Sequence, residues 1–249
     1  MDSGTGQSPG SVTGNIYAGT NLTLDGPSSG GALTVTGNAQ AAGTITKSSS
    51  VTLTGSSTPT YSTEVTWPTV SMSTYLATAQ ANDSASNDSY RSGNVTFASG
   101  GMPATITGNV LYINGDVTIQ GTQSTRVCLV ATGNITMSKS GSTYPKVTIT
   151  APTNYPAIVC TKNLTYSSNG NGGSYLRATG LVYPQGNFTW SSANHDELTL
   201  TGSLMARGTI TISPTAQNAV AITKASVSNL TGLTDDNGAI AFQVLSINS

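Results

Sequence analysis

The sequence predicts an all-β chain wound as a right-handed parallel β-helix, or β-solenoid, and three observations carry that reading. Charged side chains make up only 8% of the 249 residues, against about a quarter in an ordinary soluble domain. The polar complement is instead Thr, Ser, Asn and Gly, which suit strands and tight turns. One phrase then recurs: RVCLVATGNITM at 126–137, YPAIVCTKNLTY at 155–166, TGLVYPQGNFTW at 179–190 and TGSLMARGTITI at 201–212 superpose without gaps. Finally, the copies recur at the length of one solenoid turn.

Each copy is a short apolar strand, a polar or Gly corner, and a strand in which Thr stands between two apolar residues. Related copies lie upstream as NIYAGTNLTL at 15–24, AQAAGTIT at 39–46 and NVLYINGDVTI at 109–119. The corners fall at Asn21, Thr44, Asp116, Asn134, Asn163, Asn187 and Thr209. A repeat this short cannot bury its own apolar residues, so successive copies must stack and share a core. KVTIT at 146–150, ELTLTG at 197–202 and AVAIT at 219–223 add strands, giving two or three per turn. At about 4.8 Å per strand, roughly eight to ten turns make a rod about 40 to 50 Å tall, its hand set by the crossover rule. A β-sandwich would also use many short strands and Gly-rich turns, but gap-free superposition favours the solenoid.

The whole chain, 1–249, reads as a single domain with a loop and helix insertion at about 56–92. SSTPTYSTEVTWPTVS is Pro-punctuated, and Met72, Tyr75, Leu76 and Ala79 follow at helical spacing. They predict one short helix at about 71–82, against the rod's side or over an end. GNVTFASGG returns to strand from 93, and GAIAFQVLSINS at 238–249 reads as a final strand that could cover an open edge.

Nine basic and ten acidic residues leave no basic stripe for nucleic acid. No run of 18 apolar residues is present for membrane insertion, and the opening MDSGTGQSPG has neither region of a signal peptide. The low Lys and Glu content suits an extracellular or cell-surface protein. The single histidine, His195, lies beside Asp196 and Glu197 in a polar turn that reads as solvated surface. With no nucleophile motif, metal-ligand spacing or phosphate loop beside it, the expectation is a non-enzymatic chain with no catalytic residue, metal or cofactor.

Stacking turns repeats into columns. Side chains alternate along a strand, so Thr23, Thr46, Thr118, Thr136, Thr165, Thr189 and Thr211 share an outward face. Of these, Thr23, Thr118, Thr136, Thr165, Thr189 and Thr211 form the candidate surface-binding ladder. Asn21, Asp116, Asn134, Asn163 and Asn187 form a structural corner ladder, because Asn tolerates the left-handed conformation that corners are expected to need and stacked amides can hydrogen-bond. The Asn-X-Thr sequons within it follow from the repeat, not from glycosylation. Leu22, Ile45, Val117, Ile135, Leu164, Phe188 and Ile210 make one inward column; Leu24, Ile119, Met137, Tyr166, Trp190 and Ile212 make the other. Trp67, Tyr155 and Tyr175 are read as loop aromatics available for contacts. Cys128 and Cys160 are offset by three strand positions, about 10 Å, too far for a disulfide, and are expected to be buried free thiols.

The stretch from Trp67 to Gly121 holds PTVSMSTYLATAQA, SYRSGNVTF and LYINGDVTI. It resembles PilX-like, type IV pilus-associated surface proteins, and the later VATGNITM and TGLVYPQGNFTW phrases are similar to bactofilin coils. The likeness covers roughly residues 60–215. It implies a secreted or cell-surface, non-enzymatic protein attached to pilus or envelope components, usually through an N-terminal hydrophobic helix that this sequence does not contain. The expected role is structural and adhesive, binding an extended surface such as polysaccharide through an uncharged face and the loops at 56–92 and 167–178. Two alternatives are ice binding by a flat Thr/Asn face and a self-assembling, bactofilin-like scaffold with end-to-end stacking.

Overall fold

The computed structural model describes residues 10–13, 16–25, 33–60, 67–168, 173–191, 195–213, 219–224 and 230–234. They form a parallel β-solenoid of about eight turns with one helix, Met72–Asn82. The expected strand at 238–249 lies outside the described residues.

Each full turn supplies three faces. The first two come from an eleven-stranded parallel sheet, whose ten-residue strands Thr105–Asn114, Thr122–Ala131 and Tyr175–Pro184 each contribute to both, except that in the N-terminal turns the second is a separate three-stranded sheet of Ile16–Ala18, Ala39–Ala41 and Ser57–Thr58. In the turn at 146–160 the same path is split into Lys146–Thr150 and Ile158–Cys160. The third face is an eight-stranded parallel sheet built from the phrase in which Thr stands between apolar residues. Alternation puts Leu, Ile, Val and aromatic side chains inward. Trp190, Tyr166, Phe188 and Leu164 are fully buried, and the Tyr166 and Trp190 rings stack at 5.9 Å. Truncating such a buried aromatic to Ala typically costs about 3–5 kcal/mol, which makes this column structural.

Chain order is not stacking order. Along the eight-stranded sheet the strands run Val95–Phe97, Val117–Ile119, Ile135–Ser138, Leu164–Ser167, Phe188–Ser191 and Ile210–Ser213. Leu22–Leu24 and Ile45–Lys47 come next. The N-terminal turns therefore continue the stack beyond the C-terminal ones. In the larger sheet Gly10–Thr13 pairs with Ala219–Lys224, which itself pairs with Glu197–Leu204. Identical pitch and identical columns let one end of the chain cover core and backbone edge that the other would leave open. The larger sheet stacks ten strands in line, which at about 4.8 Å apart span about 43 Å, within the height expected from the sequence.

This order obliges the chain to travel back along the rod from Ser57–Thr58 at one end to Tyr90–Ser92 at the other. Residues 67–89 form the described part of that strap. The Ser71 side chain caps the helix by accepting from the Thr74 N–H at 3.4 Å, which satisfies one of its free amides. At the far end Ser89 Oγ donates to Ala79 O at 2.8 Å, and Asp83 Oδ1 accepts from the Ser89 N–H at 3.0 Å. Tyr75 and Ala79, one turn apart, are buried.

The strap lies where it does because the later halves of the long strands are apolar on both sides. Leu111, Ile113, Leu129 and Val182 point into the main core. Val110, Tyr112, Cys128, Val130, Val159, Leu181 and Tyr183 point out, into a second cluster beneath Tyr75, Ala79, Leu230 and Leu233. A two-stranded antiparallel pair, Thr69–Val70 with Leu233–Thr234, ties strap to C-terminal segment. Tyr75 OH donates to Thr231 O at 2.7 Å, and the Ser71 N–H donates to Gly232 O at 2.7 Å. The stretch expected to be a recognition loop at 56–92 is thus, over 67–89, a packed cover for an apolar flank.

The sequence register for the cysteines is the observed one. Cys160 pairs with Ala131, three residues beyond Cys128. Both thiols are free and buried, Cys160 in the main core and Cys128 beneath the strap. Burial pushes both thiols up, Cys160 to about 12. Neither should react with a thiol reagent at neutral pH in the native protein; both should titrate in denaturant, with no 128–160 disulfide in non-reducing mass spectrometry. Gly232 has φ +77°, and a Cβ there would lie 2.5 Å from Tyr75 Cζ. Gly232→Ala should therefore loosen the strap and lower stability by about 1–3 kcal/mol, read by chemical denaturation.

Candidate functional site

The eight-stranded sheet turns one face to solvent, and its central column is threonine in every strand. Cα register links Thr96, Thr118, Thr136, Thr165, Thr189, Thr211, Thr23 and Thr46 without a break. All six ladder residues named from the sequence are in it, and the column crosses the junction between C- and N-terminal turns at Thr211–Thr23. Two positions further along the strand, Ser138, Ser167, Ser191 and Ser213 form a parallel column. The result is a net of small hydroxyl side chains, about 4.8 Å apart across strands and about 6.6 Å apart along them.

Beside it runs the corner ladder, whose mechanism differs from the amide stacking expected, and none of Asn21, Asp116, Asn134, Asn163 and Asn187 has the left-handed backbone expected of a corner. Each side-chain oxygen accepts the backbone N–H of the next turn's corner. Asn94 Oδ1 receives Asp116 N–H at 2.9 Å, Asp116 Oδ1 receives Asn134 N–H at 2.7 Å, and Asn134 Oδ1 receives Asn163 N–H at 3.3 Å. Asn163 and Asn187 continue it onto Asn187 and Thr209 at 2.9 and 2.8 Å. Asn21 accepts from the Thr44 N–H at 2.9 Å, and Thr20 and Thr209 hydroxyls bond across the junction at 3.0 Å. Among the described residues, side-chain amides join it at Asn134 and Asn163, whose Nδ2 groups donate to the turn before at 3.1 and 3.3 Å.

The same geometry explains why Gly so often precedes the corner. A Cβ on Gly133, Gly186, Gly208 or Gly43 would overlap the Asp116, Asn163, Asn187 or Asn21 side-chain oxygen of the adjacent turn. The Asn134 N–H, followed by its side-chain amide and Lys162, holds the Asp116 carboxyl below its ordinary value against a smaller desolvation effect.

A second threonine net was missed in the sequence. On the first face of the eleven-stranded sheet, Thr150, Thr179, Thr201, Thr223, Thr13 and Thr36 are in register. Beside them Thr34 pairs with Thr52 and Ser11, and Thr148 and Thr199 lie at the same strand position on either side of Arg177. The signal was a Thr-X-Thr or Ser-X-Thr triplet in KVTIT, ELTLT, GSVT, LTVT and VTLT, whose first members preceded the aligned phrase.

The aromatic candidates are not brought together. Trp67 stacks on Tyr183 at 6.5 Å, and with Tyr155 it packs partly buried against the flank under the strap. Tyr175, expected in a loop, instead opens the strand Tyr175–Pro184. The Arg177 guanidinium lies over its ring at 4.4 Å and is paired with Glu197 at 2.6 Å. That pairing lowers Glu197 and raises Arg177. The turn at 195–197 is also not uniformly solvated: His195 is exposed with φ 66°, but Asp196 is buried and accepts the Ser174 N–H at 3.0 Å. Among the described residues no three His, Cys, Asp or Glu are grouped to hold a metal, and no helix is long and apolar enough to cross a membrane.

Comparison with protein-family models, curated proteins and solved structures finds no match for this chain.

Because the folded Asp116 carboxyl is depressed, its contribution is present above the unfolded value of about 3.9 and is lost as pH falls through the folded one. Wild type should lose stability below about pH 4 more steeply than Asp116→Asn, measured by urea unfolding across pH 2 to 6.

Proposed function

We propose that this chain is a non-enzymatic cell-surface module that holds onto an ordered, extended surface such as crystalline polysaccharide through its flat threonine faces. The unbroken column of eight threonines carries the reading. A repeating net offers the same contact many times over, which suits a repeating ligand better than a single small molecule, and its hydroxyl and methyl groups come on rotamer-poor β-branched side chains. Little entropy is lost when they are held against a surface. Association with pilus or envelope components rests on the sequence resemblance between Trp67 and Gly121.

Weak individual contacts add up through multiplicity, and an uncharged face gives little to screen. Binding to crystalline cellulose should therefore survive moderate salt and fall at least tenfold in Thr165→Lys/Thr189→Lys, read by co-sedimentation. Loss of binding in salt, or equal binding by the variant, would sink the proposal. A second reading, ice binding, is favoured by the paired columns of the first face, Thr34 with Thr36 and Thr199 with Thr201. Thermal hysteresis abolished by Thr201→Tyr would select it over polysaccharide.

A further inference from the structure

The hydroxyl net of the first face is interrupted in three neighbouring turns, and the interruption is basic. In the strands Thr122–Ala131, Lys146–Thr150 and Tyr175–Pro184, Arg126, Lys146 and Arg177 alternate with buried residues and so point outward. Lys139 joins them from the loop leading into Lys146, its Nζ 4.6 Å from the centre of the Tyr144 ring. Four of the nine basic residues thus gather here, whereas Ser11, Thr13, Thr34 and Thr36 keep the same face uncharged further along the rod.

This charge is only partly cancelled. Among the described residues, Glu197 is the one carboxylate pointing outward on this part of the face, and Arg177 holds it with Nε and Nη2 at 2.8 and 2.6 Å. Asp196 beside it is buried against Ser174, and Arg126 and Lys146 have no ion pair among the described residues. The segments 169–172 and 192–194 contain no acidic residue. Arg177 is fixed in place by the Tyr175 ring beneath it at 4.4 Å and by Glu197 along one edge.

Register sets the spacing. Lys146 lies opposite Tyr175 and Thr148 opposite Arg177, while Arg126 falls one step beyond the Thr125–Ile149 pair. The Cα atoms of Lys146 and Arg177 are therefore about 8 Å apart, and those of Arg126 and Arg177 about 12 Å. Cations so placed on a flat sheet cannot converge on one small anion, but they match a chain that carries a charge at intervals. We propose that this part of the first face binds an acidic polysaccharide of the polyuronate class. Its carboxylates would meet Arg126, Lys146 and Arg177, and its hydroxyls would meet Ser124, Thr148 and Thr199. A single-stranded nucleic acid would also need rings to stack on, and here both tyrosines already carry a cation. The inference stands apart from the neutral surface proposed for the eight-threonine column, because charge-led binding is screened by salt.

Affinity electrophoresis through gels containing polygalacturonate tests it. The full chain should be retarded at low ionic strength and released towards physiological salt, where the Debye length falls to about 8 Å. Fully methyl-esterified polygalacturonate, the same polymer without its charge, should not retard it. Arg126→Gln/Lys146→Gln, with a native circular dichroism melt, should be held about fivefold less tightly and should co-sediment with cellulose as the unaltered chain does, so the two readings fail separately. If the double variant does not fold, Arg126→Gln alone, altered at an exposed side chain, is read the same way. No retardation by the acidic polymer, equal retardation by its ester, or undiminished retention of a folded Gln variant would overturn the proposal. Tighter retention by single-stranded DNA than by polygalacturonate would do the same.

Discussion

Everything in this molecule depends on like side chains lying over like at a single strand spacing. The corner makes that rule strict. One side-chain oxygen per turn reaches the backbone N–H of the next, and at most corners the preceding residue is a glycine with no Cβ in the way; Lys162 stands before Asn163, where the bond is longest at 3.3 Å. Asp116, Asn134, Asn163 and Asn187 meet the first condition, and Gly133, Gly186 and Gly208 meet the second. An unmet backbone donor at a partly buried corner costs about 1–3 kcal/mol, so a one-residue slip would be felt in several turns at once. That shared penalty holds Thr23 to Thr211 in one straight column despite loops of unequal length.

The second constraint is the open end of a solenoid. Repeat proteins are ordinarily one-dimensional, each unit touching only its neighbours in sequence. Here the first turns of the chain lie beyond the last, and the strap along the flank links the two extremities. Contacts between residues some two hundred positions apart, such as Ser11 with Ala221 and Leu22 with Ile210, make the fold a closed circuit instead of a string. Such distant pairings carry a high loop-closure cost before they return any stabilisation. Each turn is therefore less independent than in a simple repeat array, and loosening the strap acts on turns at both ends.

These constraints leave three kinds of surface with different chemistry. The flank with unbroken apolar runs is covered by the strap, the strands Ile45–Lys47 and Tyr90–Ser92 carry a cation in register with core residues, and the two remaining faces keep small hydroxyl side chains in register. Trp67 and Tyr155, attractive as isolated aromatics, are absorbed in covering the flank. Threonine on the open faces satisfies the strand preference and solubility together: its methyl group packs on the pleat and its hydroxyl stays hydrated.

The sequence by itself determined the coil, its inward and outward columns, the helix near 72–82 and the cysteine register, because each follows from periodicity within or between adjacent strands. It also contained, unread, the double-sided burial at 110–113, 127–131 and 181–184, since a strand apolar at every position needs cover on both faces. Only the tertiary structure decided that the N-terminal strands from Gly10–Thr13 to Ser57–Thr58 stack beyond the C-terminal ones, that Tyr175 belongs to a strand, and that Lys47 and Arg91 fall in register with Leu24 and Ile113 of the core. The reason is physical: identical turns are interchangeable neighbours as far as local pattern goes, and their order is chosen by which edges and apolar flanks remain to be covered once the whole chain is folded.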